Sequence, residues 1–308
     1  MKRFVIKLCG FAVINAVIAG AVLAVIDSRY AFEQFETDSV LLSMPRGEEV
    51  GVLVMGTSRA RVLTRVRCNL ECFERELGCK VFNIAAPFGG GIVPEKIYLG
   101  EFYGRGNRAG TILFFLDPFT MFSPQPNKDH RFVYYEPLRP SLLLAMARNE
   151  IPFRRILIYI QSKFTWRWVS QAAGAVPCDF ETVKDGKPDP EKARLRVESL
   201  YFDGLNEGYF EHYAETLRDI LEMAKRHETR VVVALPPTLL GPQPGADRLM
   251  RQLDEFKKSY ALEFYDFTGA ITDTALFSDY DHLNSPGVET FVKEHLLPVL
   301  RERMKDEG

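Results

Sequence analysis

Two short stretches far apart in the chain carry a hydroxyl, an imidazole and carboxylates at spacings that nucleophilic chemistry uses. The first is Gly51-Val-Leu-Val-Met-Gly-Thr-Ser-Arg-Ala60, an apolar run that stops at Gly56-Thr57-Ser58. The second is Ser278-Asp279-Tyr280-Asp281-His282-Leu283-Asn284. A serine hydroxyl becomes a useful nucleophile when a base takes its proton, and a histidine is a good base when a carboxylate fixes its tautomer and stabilises its imidazolium. Ser58, His282 and Asp279 can fill those three roles. An aspartate three residues before a histidine can set its carboxylate against one ring nitrogen and leave the other for the hydroxyl. Asp281 is the rival acid, although direct adjacency to His282 makes a facing geometry awkward. His130, His212, His227 and His295 are rival bases; the last three fall in expected helices. Taken alone, Gly-Thr-Ser reads as a turn or a helix N-cap, and a lone Asp-x-x-His as a structural pair.

Bringing Ser58 to His282 requires elements that end at a common edge. A short apolar run between glycines fits a strand buried on both faces of a parallel sheet, where ligands sit at the carboxyl ends. The pattern predicts strands at 52–55, 80–84, 111–116, 230–235 and 263–267, and helices at 61–77, 92–103, 207–227, 246–260 and 286–304. This alternation implies an α/β fold, a three-layer flavodoxin-like sandwich around a parallel sheet of about five strands. Ser58 then follows the first strand, and the loop with Asp279 and His282 follows the last. Residues 119–206 break the alternation. Rich in aromatics, proline and charge, with an apolar patch at 141–147 and the cluster Trp166-Arg167-Trp168, they read as an insertion with its own hydrophobic core; a substrate groove or a membrane contact is the alternative.

Residues 1–26 differ from the rest. Met1-Lys2-Arg3 leads into a stretch in which Lys7 and Asn15 are the only strongly polar residues, and 8–26 would span roughly 28 Å as a helix, close to a bilayer core. Lys2, Arg3 and Lys7 at its leading edge would keep the N-terminus in the cytoplasm and send the remainder across. An uncleaved anchor is expected; a signal peptide cut near Ala19-Gly20-Ala21 is the alternative. Residues 27–49 read as a stalk and 50–308 as the α/β domain. A net charge of −2 and a pI near 6.3 leave no basic footprint for nucleic acid. Of five cysteines, Cys68, Cys72, Cys79 and Cys178 lie beyond the anchor and permit three full pairings, with no choice among them. No His-x-x-x-His or carboxylate cluster stands at metal-ligand spacing, so no metal or other cofactor is expected.

With these residues in place, the chain resembles the SGNH/GDSL hydrolase superfamily, in which a serine after the first strand and an Asp-x-x-His near the C-terminus form a triad. The resemblance covers Gly51 to the C-terminus, with the insertion unmatched. It is most similar to a membrane-anchored, exported branch that modifies surface polysaccharide or cell-wall acyl groups, where Gly-[Ser/Thr]-Ser replaces Gly-Asp-Ser and Asp-x-x-His-Leu-Asn recurs. Phe82-Asn83-Ile84-Ala85, followed by Gly89-Gly90-Gly91, is similar to the family's second block. The resemblance implies Ser58 as nucleophile, His282 as base, Asp279 as its partner, and an oxyanion hole from the Ser58 amide and a Gly89 or Gly90 amide. It implies an exported serine esterase or O-acetyltransferase working through an acyl-enzyme on an acylated polysaccharide or cell-wall polymer, with a membrane-bound acyltransferase as a candidate partner. Two departures stand out. The family's third block supplies an asparagine to the oxyanion hole, whereas this chain has Leu116-Asp117-Pro118. Either Asp117 points elsewhere, Asn83 substitutes, or the hole has backbone donors alone. Arg59, directly after the nucleophile, could bind an anionic substrate group or pair with Asp117. A non-catalytic assembly or binding protein of cell-surface polymer biosynthesis on the same fold is the second expectation.

Overall fold

The computed structural model describes residues 2–28, 44–63, 69–86, 90–128, 131–149, 151–163 and 189–304. Five strands, β1 (Glu49–Gly56), β2 (Val81–Asn83), β3 (Arg108–Phe115), β4 (Arg230–Leu235) and β5 (Leu262–Asp266), form one sheet in the order β2-β1-β3-β4-β5. Every pairing is parallel. This is the expected doubly wound α/β architecture. Its strand order reverses between β1 and β3, the place where such sheets open a crevice at their carboxyl edge.

Side chains alternate across the strands, so each strand feeds two cores. Leu53, Met55, Ile112, Phe114 and Val233 face a layer built from α3 (Ile92–Gly104), α9 (Glu207–Arg226) and α10 (Ala246–Lys257). Val52, Val54, Leu113, Phe115 and Val232 face α2 (Asn69–Leu77), α11 (Ser285–Phe291) and α12 (Leu297–Met304). Burying a side chain of this size contributes roughly 1.5–3 kcal/mol, enough in sum to hold the carboxyl-edge loops on a rigid base.

The expected insertion, 119–206, carries among its described residues α4 (Pro118–Phe122), α5 (Pro124–Asn127), α6 (Pro140–Arg148), α7 (Phe153–Ser162) and α8 (Pro190–Leu200). Its apolar side chains Phe119, Phe122, Phe132, Leu142, Met146 and Tyr159 join the α3/α9 core instead of forming a separate one. Trp166 and Trp168 lie outside the described residues.

Several boundaries differ from the sequence pattern, three of them with a physical reason. The helix expected over 61–77 does not include residues 61–63, which belong to the turn that carries Ser58; it is seen over Asn69–Leu77, and 64–68 lie outside the described residues. The helix expected over 286–304 is split by a π-turn at Val292–Leu296, just ahead of Pro298, whose ring cannot fit against the carbonyl four residues back in a regular helix. The domain also begins before residue 50. Met44 is buried, and the carbonyls of Met44 and Pro45 accept from Arg105 and Asn107.

Helix α1 (Lys2–Ser28) contains the stretch Lys2–Val22, with a mean hydropathy of 2.1, which is long and apolar enough to cross a membrane.

Candidate active site

β1 ends at Gly56, whose φ of +139° suits glycine and where a Cβ would lie 2.3 Å from the Phe115 carbonyl oxygen. Only glycine lets the strand close on β3 and turn away here. The chain then makes a tight turn in which the Ala60 and Arg61 N–H groups donate to the Thr57 and Ser58 carbonyls. Ser58 sits on that turn, half-buried, rather than at a helix N-cap.

The second half of the site comes from the loop after β5. Phe277 bridges to Leu283, the Ser278 N–H donates to the His282 carbonyl, and Asp279 Oδ1 accepts from the Asp281 and His282 N–H groups. Asn284 caps α11 by accepting from the Gly287 N–H. A tight loop pinned at both ends thus aims the His282 ring. Nε2 lies 2.7 Å from Ser58 Oγ, and Nδ1 lies 2.9 Å from both carboxylate oxygens of Asp279. With Nδ1–H donating to Asp279, the Nε2 lone pair faces the Ser58 hydroxyl, the orientation a general base requires. Desolvation raises the Asp279 carboxyl, but the hydrogen bond and charge of His282 and the two backbone N–H groups outweigh it and hold the group well below the usual carboxylate range. Asp279 is therefore ionised at neutral pH.

Asp281 takes a different part. It is buried, its nearer oxygen is 3.7 Å from His282 Nδ1, and both its oxygens engage the Arg196 guanidinium of α8, at 2.8 Å for the closest contact. The Asp189 N–H, at the start of the same helix, donates to the Tyr280 hydroxyl. The insertion is thus latched to the histidine loop, a role for Arg196 that no local spacing announces. Asp279, Asp281 and His282 also form a group whose ligand atoms lie within 4.8 Å of one another, unlike the expectation from linear spacing. The Arg196 cation already occupies the Asp281 side of that group.

Two buried carboxylates hold the serine turn. Asp117, at the end of β3, accepts from the Thr57 hydroxyl at 2.6 Å and lies 2.8 Å from Arg59 Nη1, so it grips the residues on either side of Ser58. Burial raises the Asp117 carboxyl, and Arg59 and Thr57 oppose that shift. Arg59 and Asp117 are 4 % and 0 % exposed and face each other, which removes both from the position of substrate ligands. Their contact is oblique, and Arg59 Nε and Nη2 have no acceptor among the described residues. Glu95, on the first turn of α3, accepts from the Gly56 N–H at 3.0 Å and the Ala86 N–H at 2.8 Å. Complete burial pushes its carboxyl up to about 8 against the pull of those two N–H groups. Glu95 was not legible as a site residue, since its partners lie 39 and 9 residues away.

The expected oxyanion donors separate into two classes. The Asn83 side-chain amide donates to the Ala60 and Leu63 carbonyls, so it fastens the serine turn to β2 and is not aimed at a reacting carbonyl. Gly90 does approach the turn: a Cβ there would lie 2.7 Å from the Gly56 carbonyl oxygen and 3.4 Å from Thr57 Cα. The Ser58 and Gly90 N–H groups have no acceptor among the described residues. Gly89 lies outside them, as do Cys68 and Cys178; Cys72 and Cys79 carry free thiols. No protein-family model matches the chain, and no curated protein matches it.

Proposed function

We propose that the protein is a membrane-anchored serine enzyme that moves an acyl group through a covalent Ser58 ester. The observation that carries this reading is the continuous hydrogen-bonded chain from Ser58 through His282 to an ionised Asp279 at the carboxyl edge of the sheet. Ser58 Oγ attacks the ester carbonyl as its proton passes to His282 Nε2. The oxyanion is received by the Ser58 and Gly90 N–H groups, each contributing on the order of 3 kcal/mol to lowering the barrier. His282 returns the proton to the departing alkoxide, and the acyl-enzyme is released by water or by an acceptor hydroxyl. Asp117 is withdrawn from the hole by Arg59, so its carboxylate does not oppose the developing charge.

The resemblance of Gly-Thr-Ser and Asp-x-x-His-Leu-Asn to exported acyl-modifying enzymes supports an acylated surface polysaccharide or cell-wall polymer as substrate, with the domain outside the cytoplasm. The same resemblance makes a membrane-bound acyltransferase the natural donor if the reaction is transfer instead of hydrolysis. A second reading, a non-catalytic assembly or binding protein, is favoured by one observation: Asp117 replaces the third oxyanion donor and is consumed by Arg59. A fluorophosphonate probe separates the two. Labelling of Ser58 that disappears in Ser58→Ala and His282→Gln is expected; a folded wild-type chain that takes no label leaves the non-catalytic reading standing.

A further inference from the structure

On the helical layer that covers one face of the sheet, a groove of about 560 Å³ between α3, α6 and α9 collects positive charge. Arg46 enters it from the segment before β1, Arg105 from the end of α3, and Arg139 and Arg148 from the two ends of α6. Lys96 also lines it but pairs with Asp219 on α9. The one carboxylate in the wall is Glu101, which accepts from the Ser141 hydroxyl. Four guanidiniums and one carboxylate thus line the same wall. Arg46 and Arg148 are exposed and have no carboxylate at ion-pair distance among the described residues. Arg105, half-buried and donating to the Met44 carbonyl, is held below its ordinary value by desolvation and by the charges of Arg46 and Arg139, with Glu101 and Glu136 in opposition. Like charges gathered in a concave wall favour an anion, and guanidinium forks match phosphate oxygens in geometry.

Two further observations say which anion. The groove lies where the chain arrives from the membrane segment: α1 ends at Ser28, and Met44 and Arg46 are already part of the groove's surroundings. The intervening stretch can span at most roughly 55 Å. The neighbouring surface is also apolar as well as basic. Leu144 on the groove wall is 50 % exposed, and α7, which packs on α6, exposes Phe153 and Leu157 beside Arg154 and Arg155. Exposed apolar side chains interleaved with arginine suit the interface of an anionic bilayer.

We propose that this groove binds the phosphate headgroup of an anionic phospholipid and holds the α3/α6 flank of the domain against the bilayer that receives α1. The groove's role is independent of the acyl-transfer reading, and its test is read separately.

The full-length chain in neutral maltoside micelles is titrated with dihexanoyl phosphatidylglycerol, dihexanoyl phosphatidylcholine and inorganic phosphate, with bound ligand counted by native mass spectrometry. Saturable binding of phosphatidylglycerol, at least tenfold tighter than of the other two, is expected. Arg46→Gln with Arg148→Gln should weaken it roughly 30-fold, while Arg251→Gln with Lys257→Gln on α10 should weaken it less than threefold. Fluorophosphonate labelling of Ser58 is expected at wild-type level in both pairs. Equal affinity for the two lipids, phosphate bound as tightly as phosphatidylglycerol, or wild-type affinity in the Arg46/Arg148 variant would overturn the proposal. If that pair does not fold, Arg148→Gln alone serves, with about a fivefold loss expected.

Discussion

Asp279 and Asp281 both approach the His282 ring, but their surroundings give them different work. Asp279 faces Nδ1 with both oxygens, whereas Asp281 spends its charge on Arg196. Under the acyl-transfer reading, Asp279→Asn should lower kcat on an aryl acetate roughly 10³–10⁴-fold, because an amide can hold the ring in the wrong tautomer. Asp281→Asn should stay within about tenfold, its main effect being a looser α8. The reverse order of losses would make Asp281 the partner. Ser58, Asp279 and His282 were legible in the sequence because the hydroxyl, imidazole and carboxylate stand in two compact motifs. Arg196 was not, since its partner is 85 residues away and an arginine on an amphipathic helix looks like any solvated cation. Asn83 was misread for a related reason: its amide is the right group for an oxyanion donor, and only the fold shows that two backbone carbonyls of the serine turn claim it.

Among the elements, β4 was predicted at its observed bounds, since Val231-Val232-Val233 leaves a strand no alternative. The expected start of helix α2 differs because Leu63 continues the apolar period into a turn, and periodicity cannot register that Asp117 and Asn83 hold that turn from other elements. The clamp by α3 has a measurable signature. Glu95 faces the Gly56 and Ala86 N–H groups, and the other titratable group near it is Tyr98 on its own helix. Its carboxyl shifts from an ordinary 4.5 to about 8 on folding. Between those values the folded protein keeps a proton that the unfolded chain releases, so stability falls as pH rises through the window and levels off above it. Urea unfolding at pH 5.5 and pH 8.0 should show wild type losing roughly 3 kcal/mol more than Glu95→Gln across that interval. Equal losses in the two proteins would mean that Glu95 enters the fold already ionised.

At the scale of the whole molecule, the serine site stands at the carboxyl ends of the strands and the arginine groove on the helical layer that covers one face of the sheet. The α/β class and strand count were legible from the alternation of short apolar runs with amphipathic helices. The way the insertion merges into the α3/α9 core was not, because aromatic residues carry no label for the layer they will join. Alkaline carbonate extraction tests the anchor, since it strips peripheral proteins and leaves spanning helices in place. The full-length chain should remain in the membrane pellet, and a form lacking residues 1–43 should be released to the supernatant. Release of the full-length chain at its mature mass would mean that α1 does not span.

Ser58 and His282 are 224 residues apart and stand on opposite sides of nearly the entire sheet in chain order. A refolding or newly made chain therefore has an inert serine until β5, the histidine loop and α11 have docked, whatever the state of β1. Contacts of such long sequence separation form late, since their loop-closure entropy must be met first. Reactivity should thus be the last property to return on refolding, lagging the recovery of helical circular dichroism. Under the acyl-transfer reading, an immature chain thus carries no active nucleophile.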